Sequence, residues 1–245
     1  MNVENHPVVP REEWLAARQQ HLADEKAFTR ERDRLSAKRR ALPWVKVDKD
    51  YRFHGPNGEL KLADLFGKHS QLIVYHFMFA KDWEEGCQGC SFLSDHIDGA
   101  NQHLAHHDIA VVAVSHAPFE QFQTFKRRMG WKFDWVSSDG SDFNYDFGVC
   151  AREEDAKAGK ATYNYEKTDS AEEEMPGLSV FYRNAAGEIF HTYSTYARGL
   201  DMLVGAYNYL DLTPKGRNEE EIMEWVRHHD RYEGGSQSSC CHGGE

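Results

Sequence analysis

The residues of this sequence best suited to chemistry are two cysteines three positions apart, Cys87 and Cys90, in the segment EEGCQGCSF. A Cys-x-x-Cys pair can be a redox-active dithiol, half of a metal site, or two thiols that only fill space. In a reducing compartment such a pair is more often catalytic or metal-binding than a structural disulfide. The elements that position the pair therefore bear directly on its function.

The pair is predicted to lie where a buried strand is followed by a helix. Residues 71–79, QLIVYHFMF, form a continuous apolar run, which is typical of a central strand covered on both faces. Four apolar residues after the pair share one face of a predicted helix: Leu93, Ile97, Ala100 and Leu104. Sites in open α/β sheets collect at such strand ends. The positive end of the helix dipole would also stabilise a thiolate there and lower the pKa of the cysteine.

Helical geometry distinguishes the two thiols. At about 100° per residue, Cys90 falls beside the predicted buried face, whereas Cys87 lies one turn earlier at the exposed end. Cys87 is therefore predicted to be the nucleophile and Cys90 the resolving thiol. Gly86 and Gly89 would permit close approach by a partner. The carboxylates of Glu84-Glu85 would oppose thiolate formation at Cys87.

The other elements predict one mixed α/β domain. Gly55-Pro56-Asn57-Gly58 indicates a β-hairpin, and residues 108–115 predict a second buried strand. Residues 117–130 predict a helix that ends at Gly130. Residues 177–196 predict two strands joined by a turn, and residues 199–212 a closing helix. Alternating strands and helices, followed by a hairpin and a helix, give a mixed sheet with helices on both faces.

The chain divides into a predicted N-terminal helical arm (residues 1–43), a main domain (44–217) with a charged surface insertion (151–175), and a C-terminal extension (218–245) with a flexible tail from His228 onward. Apolar or aromatic residues recur every seven positions in the arm: Trp14, His21, Phe28, Leu35 and Leu42. This narrow stripe must pack on the main domain or on a partner subunit, as in a homodimer. Both alternatives stay open.

Three longer segments of the sequence resemble the DUF899 family, a bacterial, thioredoxin-like family whose members are described as predicted dithiol–disulfide oxidoreductases. The segments are LIVYHFMFAKDWEEGCQGCSFLSDHIDGA, VAVSHAPFEQFQTFKRRMGWKFDWVSSDGSDFNYDFGV and PGLSVFYRNAAGEIFHTYSTYARGLDMLVGAYNYLDLTPKGR. The resemblance implies a thioredoxin-like fold, with Cys87 and Cys90 in the redox position and Pro176 in the cis-proline position. A proline at the start of a strand removes one ladder donor without breaking the sheet. Trp83, Met175 and Pro176 are then expected to bind the substrate.

Two other functions can be assigned to the same thiols. With Cys240, Cys241 and His242 of the C-terminal segment, the pair could form a zinc or copper site. A single Cys-x-x-Cys is only half of such a motif. The order of elements also resembles a peroxiredoxin, which would make the protein a thiol peroxidase. Those proteins usually have a Thr three residues before the attacking cysteine, whereas this sequence has Glu84.

Two further residues lie near the predicted site. His76, inside the apolar strand, is predicted to be a core histidine satisfied by the backbone, although it could also face the cysteine pair. Cys150 follows a strand and is predicted to be a buried small residue rather than a third redox thiol.

Composition excludes several classes of function. The formal charge of −11 argues against nucleic acid and anionic membranes as partners. No segment approaches the ~20 apolar residues needed to span a bilayer, and no secretory signal is recognised. The sequence therefore predicts a cytoplasmic enzyme without a cofactor, whose partners are a disulfide-containing substrate and a thiol electron donor.

Overall fold

The computed structural model describes residues 5–168 and 174–232. The strands in this part of the chain are β1 (Val45–Lys46), β2 (Arg52–Gly55), β3 (Gly58–Lys61), β4 (Gln71–His76), β5 (Ile109–Ser115), β6 (Asp134–Ser137), β7 (Thr162–Tyr163), β8 (Glu166–Lys167), β9 (Gly177–Arg183) and β10 (Ile189–Tyr196). The α-helices are α1 (Arg11–Arg40), α2 (Gln88–Ser94), α3 (Ile97–His106), α4 (Phe119–Met129), α5 (Phe143–Asp146), α6 (Glu153–Lys157) and α7 (Gly205–Leu210). Short 3₁₀ turns cover Asp64–Phe66, Ala197–Leu203 and His229–Arg231.

Eight of these strands form one mixed sheet in the order β1-β10-β9-β4-β5-β6-β2-β3. β4 lies parallel to β5 and antiparallel to β9, so it is hydrogen-bonded on both edges as its continuous apolar sequence predicts. α2 and α3 connect β4 to β5, and α4 connects β5 to the parallel strand β6. The hairpin β9–β10 and the closing helix α7 complete the thioredoxin-like fold that the sequence predicted.

The side chains of β4 alternate between two cores on opposite faces of the sheet. Tyr75 faces the first core, where the rings of Phe122 and Trp135 stack at 4.6 Å. Val74 faces the second, where the rings of Phe53 and Phe143 meet at 4.9 Å. The cysteine pair follows β4 on the side of the first core, because Cys90 is one of its members.

The predicted single helix after the cysteines is wrong. The chain forms α2 and α3, interrupted at Asp95 and His96, and Ala100 is exposed rather than buried. Asp95 accepts a hydrogen bond from the indole of Trp131 at 2.8 Å. His96 Nε2 accepts one from the N–H of Ala206 at 3.0 Å. The interruption between α2 and α3 thus coincides with hydrogen bonds to residues that are distant in the sequence.

Residues 218–232 run back along the main domain, and we call them the C-terminal strap. The prediction that a flexible tail begins at His228 is wrong for His228–Tyr232, because His228 is only 2% exposed and Asp230 and Arg231 form ion pairs with Arg128 and Glu85. Glu219 fixes the fold of the strap by accepting hydrogen bonds from the N–H of Met223 and the indole of Trp225, both at 3.0 Å.

The arm and the insertion also differ in detail from the prediction. α1 ends at Arg40, and none of its residues is buried. The insertion contains α6 and the two-stranded sheet β7–β8, and it buries Ala156 and Ala161. No helix within the described residues is both long enough and apolar enough to span a bilayer.

Candidate functional site

The backbone of Met78, in the loop after β4, fixes the position of both cysteines. Its carbonyl accepts a hydrogen bond from the N–H of Cys87 at 3.2 Å, and its own N–H donates to Sγ of Cys90 at 3.5 Å. The carbonyl of Cys87 in turn accepts hydrogen bonds from the N–H and the hydroxyl of Ser91, at 2.9 and 2.8 Å. The pair thus lies where a strand end and the start of a helix meet, although β4 itself stops at His76.

The two thiols differ in exposure as the sequence predicted. Cys87 is partly exposed, whereas Cys90 is 2% exposed. Both are free thiols. An outside disulfide can therefore reach Cys87 directly, and it can reach Cys90 only after reaction at Cys87.

The surroundings shift the two pKa values in opposite directions. A hydrogen bond from the Cys90 thiol lowers the pKa of Cys87 to about 6, helped by the N–H groups of Cys90 and Gly89 and opposed by partial burial. Burial, together with the adjacent Cys87, raises the pKa of Cys90 well above its ordinary value. At neutral pH the exposed thiol is mainly thiolate, and the buried thiol carries the proton.

Tyr75 is a third group at the pair, and the sequence analysis did not single it out. Its hydroxyl is hydrogen-bonded to Cys90, and burial followed by the charge of Cys90 raises its pKa well above the ordinary value. The phenol therefore stays protonated and acts as a donor. The period-two alternation of β4 contained the signal, because Tyr75 faces the helix side and His76 the opposite side.

A cavity of about 300 Å³ opens beside the two thiols. Cys87 and Cys90 form part of its wall, and most of the remaining wall is apolar: Tyr75, Met78, Leu93, Pro176, Leu200 and Val204. The strap closes one side with Ile222 and Met223. The reactive thiol thus adjoins a small apolar space.

The strap also holds the segment just before Cys87. The carboxylate of Glu85 pairs with the guanidinium groups of Arg128 and Arg231. His228 Nε2–H donates to the carbonyl of Gly86 at 2.9 Å, while its Nδ1 accepts from Arg128 at 3.1 Å. The expected opposition of the Glu84-Glu85 pair to the Cys87 thiolate is therefore not found for Glu85, whose charge is neutralised by two arginines.

The close approach expected at Gly89 is made by the chain itself. A Cβ placed on Gly89 would lie 2.9 Å from Sδ of Met223 in the strap. At Gly86 a Cβ would lie 2.6 Å from the ring of Phe77. Packing against aromatic rings thus requires glycine at position 86, whereas a side chain at position 89 would require the flexible Met223 side chain to move.

The structure brings together some, but not all, of the residues expected to bind substrate. Pro176 lines the cavity with the cysteines, whereas Trp83 and Met175 do not. Trp83 is partly buried at the edge of the first core, and Met175 is 6% exposed, with its N–H donating to the carbonyl of Val149 at 2.7 Å. Substrate contacts by Trp83 and Met175 stay predictions.

The isomer implied for Pro176 is not found. No peptide bond between described residues is cis, so Met175–Pro176 is trans. The trans form is the ordinary preference of an X–Pro bond. The position of Pro176 opposite the cysteines nevertheless agrees with the resemblance.

His76 is a core histidine on the face opposite the cysteines. Its Nε2 lies 2.8 Å from the hydroxyl of Ser179, which replaces the predicted backbone partner. That hydroxyl is 2.8 Å from Ser194 Oγ, which in turn is 2.8 Å from His191 Nε2. Burial lowers the pKa of His76 to about 3, so this histidine is neutral and does not face the pair.

Cys150 is buried, as predicted, and lies away from the pair. It lines a separate open cavity of about 1050 Å³. Its Sγ is 4.0 Å from Nδ1 of His116. The cavity beside Cys87 does not include Cys150.

The metal alternative finds no support among the residues that the structure covers. Within residues 5–168 and 174–232, no group of three His, Cys, Asp or Glu side chains could hold a metal ion. Cys240, Cys241 and His242 lie outside the described residues. A site that combines them with the pair stays a prediction.

The fold and the cysteine pair define a thioredoxin-like protein with a Cys-x-x-Cys at the start of α2, beyond the loop that follows its central strand. The chain belongs to the DUF899 family, whose model, described as a bacterial protein of unknown function, matches residues 3–232. Among solved structures the chain is similar to peroxidoxin BcpB from Mycobacterium tuberculosis, at 12% identity over 68% of this chain and 96% of that one, with a TM-score of 0.43. It is also similar to peroxiredoxin Q from Xanthomonas campestris, at 14% identity over 63% and 88% of the two chains, with a TM-score of 0.41. A search of curated proteins found no match.

Proposed function

We propose that this protein is a dithiol–disulfide oxidoreductase that uses Cys87 as the nucleophile and Cys90 as the resolving thiol. The observation that carries the proposal is the Cys-x-x-Cys pair at the start of α2, in which a partly exposed Cys87 precedes a buried Cys90. The surroundings lower the pKa of Cys87 and raise that of Cys90. Thiolates are the attacking species in disulfide exchange. A nucleophile with a pKa of about 6 is largely ionised at neutral pH.

The reaction follows from this arrangement in two exchanges. The Cys87 thiolate attacks one sulfur of a substrate disulfide, forms a mixed disulfide, and releases the other substrate sulfur as a thiolate. Cys90 then loses its proton to the released thiolate or to water and attacks the Cys87 sulfur. The Cys87–Cys90 disulfide forms, the second substrate thiolate leaves, and the substrate has gained two electrons. An outside thiol donor reduces the pair by the reverse exchanges.

The test compares three single substitutions. With all variants made in a chain that carries Cys240→Ser and Cys241→Ser, we expect Cys87→Ser to abolish reduction of a disulfide such as 5,5′-dithiobis(2-nitrobenzoate) by protein that has been reduced and freed of dithiothreitol. Cys90→Ser should instead accumulate a mixed disulfide at Cys87, seen by mass spectrometry without reductant. Cys150→Ser is the control and should react as the wild type does, because Cys150 lines a different cavity. Wild-type turnover by Cys87→Ser would contradict the proposal.

Thiol peroxidase activity stays the alternative, and the choice of oxidant, a peroxide or a disulfide, separates the two functions. A peroxidase would consume hydrogen peroxide through a sulfenic acid at Cys87 and then form the Cys87–Cys90 disulfide. Glu84, at the position where peroxiredoxins usually have Thr, is exposed to solvent. Rapid peroxide consumption with no disulfide exchange would favour that alternative.

A further inference from the structure

The apolar cavity beside Cys87 bears on which substrates can bring a disulfide up to the Cys87 sulfur. It lies against both sulfurs, so any group that occupies it is attached close to the bond under attack. Its volume of about 300 Å³ is at the lower limit of typical small-molecule pockets. That space suits one side chain rather than a whole folded segment.

The few charged groups at the cavity are already paired with each other. Arg198 and Asp201 form an ion pair at 2.9 Å, and Asp201 also receives Arg217 at 3.1 Å. Because Arg217 also pairs with Asp211 at 2.9 Å, two arginines balance two aspartates in this network, which leaves little attraction for a charged ligand group. A polar substituent placed in the cavity would lose its hydration without gaining partners, which is unfavourable.

We propose that this cavity binds an apolar side chain next to the substrate's disulfide, so that the protein acts on disulfides in apolar peptide segments in preference to acidic ones. This inference rests on the proposed function and adds the substrate class. The strap supplies part of the wall through Ile222 and Met223, so the C-terminal extension of the chain takes part in substrate selection. Removal of apolar surface from water provides the selectivity.

Two arms test the cavity and the reaction separately. The first measures reduction of the disulfide dimers of N-acetyl-cysteinyl-leucine amide and N-acetyl-cysteinyl-aspartate amide, each corrected for its rate with dithiothreitol. The second measures alkylation of Cys87 by N-phenylmaleimide and by N-(2-carboxyethyl)maleimide, each corrected for its rate with N-acetylcysteine. Because alkylation needs no turnover, it reports on the cavity even if disulfides are not the substrate.

The cavity variant is chosen because the fold should tolerate the substitution, and it has a matched control outside the cavity. Ile222 is 60% exposed yet lines the cavity, so Ile222→Gln makes that part of the wall polar without adding a charge and with little effect on folding. Leu212→Gln makes the same change at a residue that is 83% exposed and outside the cavity.

We expect the wild type to prefer the leucine disulfide and the phenyl reagent by about tenfold, the scale of partial burial of one apolar side chain. Ile222→Gln should bring both ratios closer to one, because it removes apolar contact without changing the charge, whereas Leu212→Gln should retain them. Equal rates in the wild type, or ratios that persist in Ile222→Gln, would overturn the cavity proposal and leave the oxidoreductase intact. A phenyl preference without any disulfide reduction would overturn the proposed function and leave the cavity as a binding site.

Discussion

At the scale of single residues, the proposed reaction gives Cys90 two functions that depend on the same proton. While it holds the proton, its thiol donates to the Cys87 sulfur and keeps the pKa of Cys87 low. Once Cys87 is in a mixed disulfide, the same thiol becomes the resolving nucleophile. Burial, which raises the pKa of Cys90, favours the first function until the substrate is bound.

The first prediction at this scale compares two replacements of Cys90, one that can donate a hydrogen bond to Cys87 and one that cannot. Cys90→Ala removes the donor, and we expect it to raise the pKa of Cys87 from about 6 by about one to two units. Cys90→Ser retains a hydroxyl donor and should keep most of the shift. The alkylation rate of Cys87 by iodoacetamide, followed from pH 4 to 10, gives the midpoint for each variant.

The direction of the change in alkylation rate follows from the fact that the thiolate of Cys87 is the form that reacts. In the wild type the rate should rise through pH 6 and reach a plateau above it, because the thiolate is then complete. In Cys90→Ala the rise should move to higher pH, which lowers the rate at neutral pH and leaves the plateau similar. An unchanged midpoint in Cys90→Ala would show that the backbone N–H groups alone lower the pKa.

At the scale of elements, periodicity predicted the strands and the helices that bury one face. The apolar run of β4 and the inward face of α4, with Phe122, Phe125 and Met129 buried, follow directly from local sequence. A continuous apolar run like that of β4 predicts a strand that is covered on both faces of its sheet. The same patterns predicted that Cys90 lies on the buried side of α2 and that Cys87 lies at its more exposed start.

Elements determined by distant partners could not be predicted in this way. The strap has no clear period, and its position depends on contacts such as Arg231 with Glu85, which are 146 residues apart. The interruption between α2 and α3 involves hydrogen bonds to Trp131 and Ala206. Tyr75 could have been placed from strand alternation, but the cavity wall formed by Ile222 and Met223 could not.

A buried polar chain joins three neighbouring strands of the sheet. It runs from His76 on β4 through Ser179 on β9 to Ser194 and His191 on β10. His76 is 1% exposed, and its pKa of about 3 means that the folded protein keeps it neutral down to acidic pH. The unfolded chain binds a proton at this residue at about pH 6.5.

The second prediction follows from that difference. As the pH falls below about 6.5, the unfolded state gains a proton that the folded state does not, so the free energy of unfolding decreases progressively toward pH 3. His76 alone should account for about 2 kcal/mol between pH 7 and pH 5. His76→Gln cannot titrate, so its loss of stability over this interval should be smaller by that amount.

Urea unfolding at pH 7 and at pH 5 measures the change in the free energy of unfolding over this interval. The comparison uses the change in free energy with pH for each variant, so a uniform loss of stability in His76→Gln does not affect it. His103 is exposed, and His103→Gln should show the wild-type change. An equal change in wild type and His76→Gln would mean that His76 becomes protonated in the folded state.

At the scale of the whole molecule, α1 is an exception to the packing of every other long element. It has 30 residues, none of them buried. Several large apolar side chains on or just after it are more than a third exposed: Trp14, Leu15, Leu22, Phe28, Leu35, Leu42 and Trp44. Helices in water gain most of their stability from packing an apolar face. Arg39 lies over the ring of Tyr193 at 4.9 Å, but the apolar stripe is not buried on the main domain within the described residues, which leaves the partner subunit as the alternative to test.

The last prediction is therefore that two copies of the chain associate through α1. The stripe repeats every seven residues, the spacing that allows two helices to pack along their length, and at ~45 Å the helix offers a long contact. We expect sedimentation velocity to show a dimer at micromolar concentration. The double variant Phe28→Glu, Leu35→Glu should be a monomer, because it places charges on both faces of the contact. Ala37→Glu, about 180° round the helix from Phe28, should remain a dimer. A wild-type monomer with full helix content over this range would contradict the interface, since α1 would then be stable without a partner.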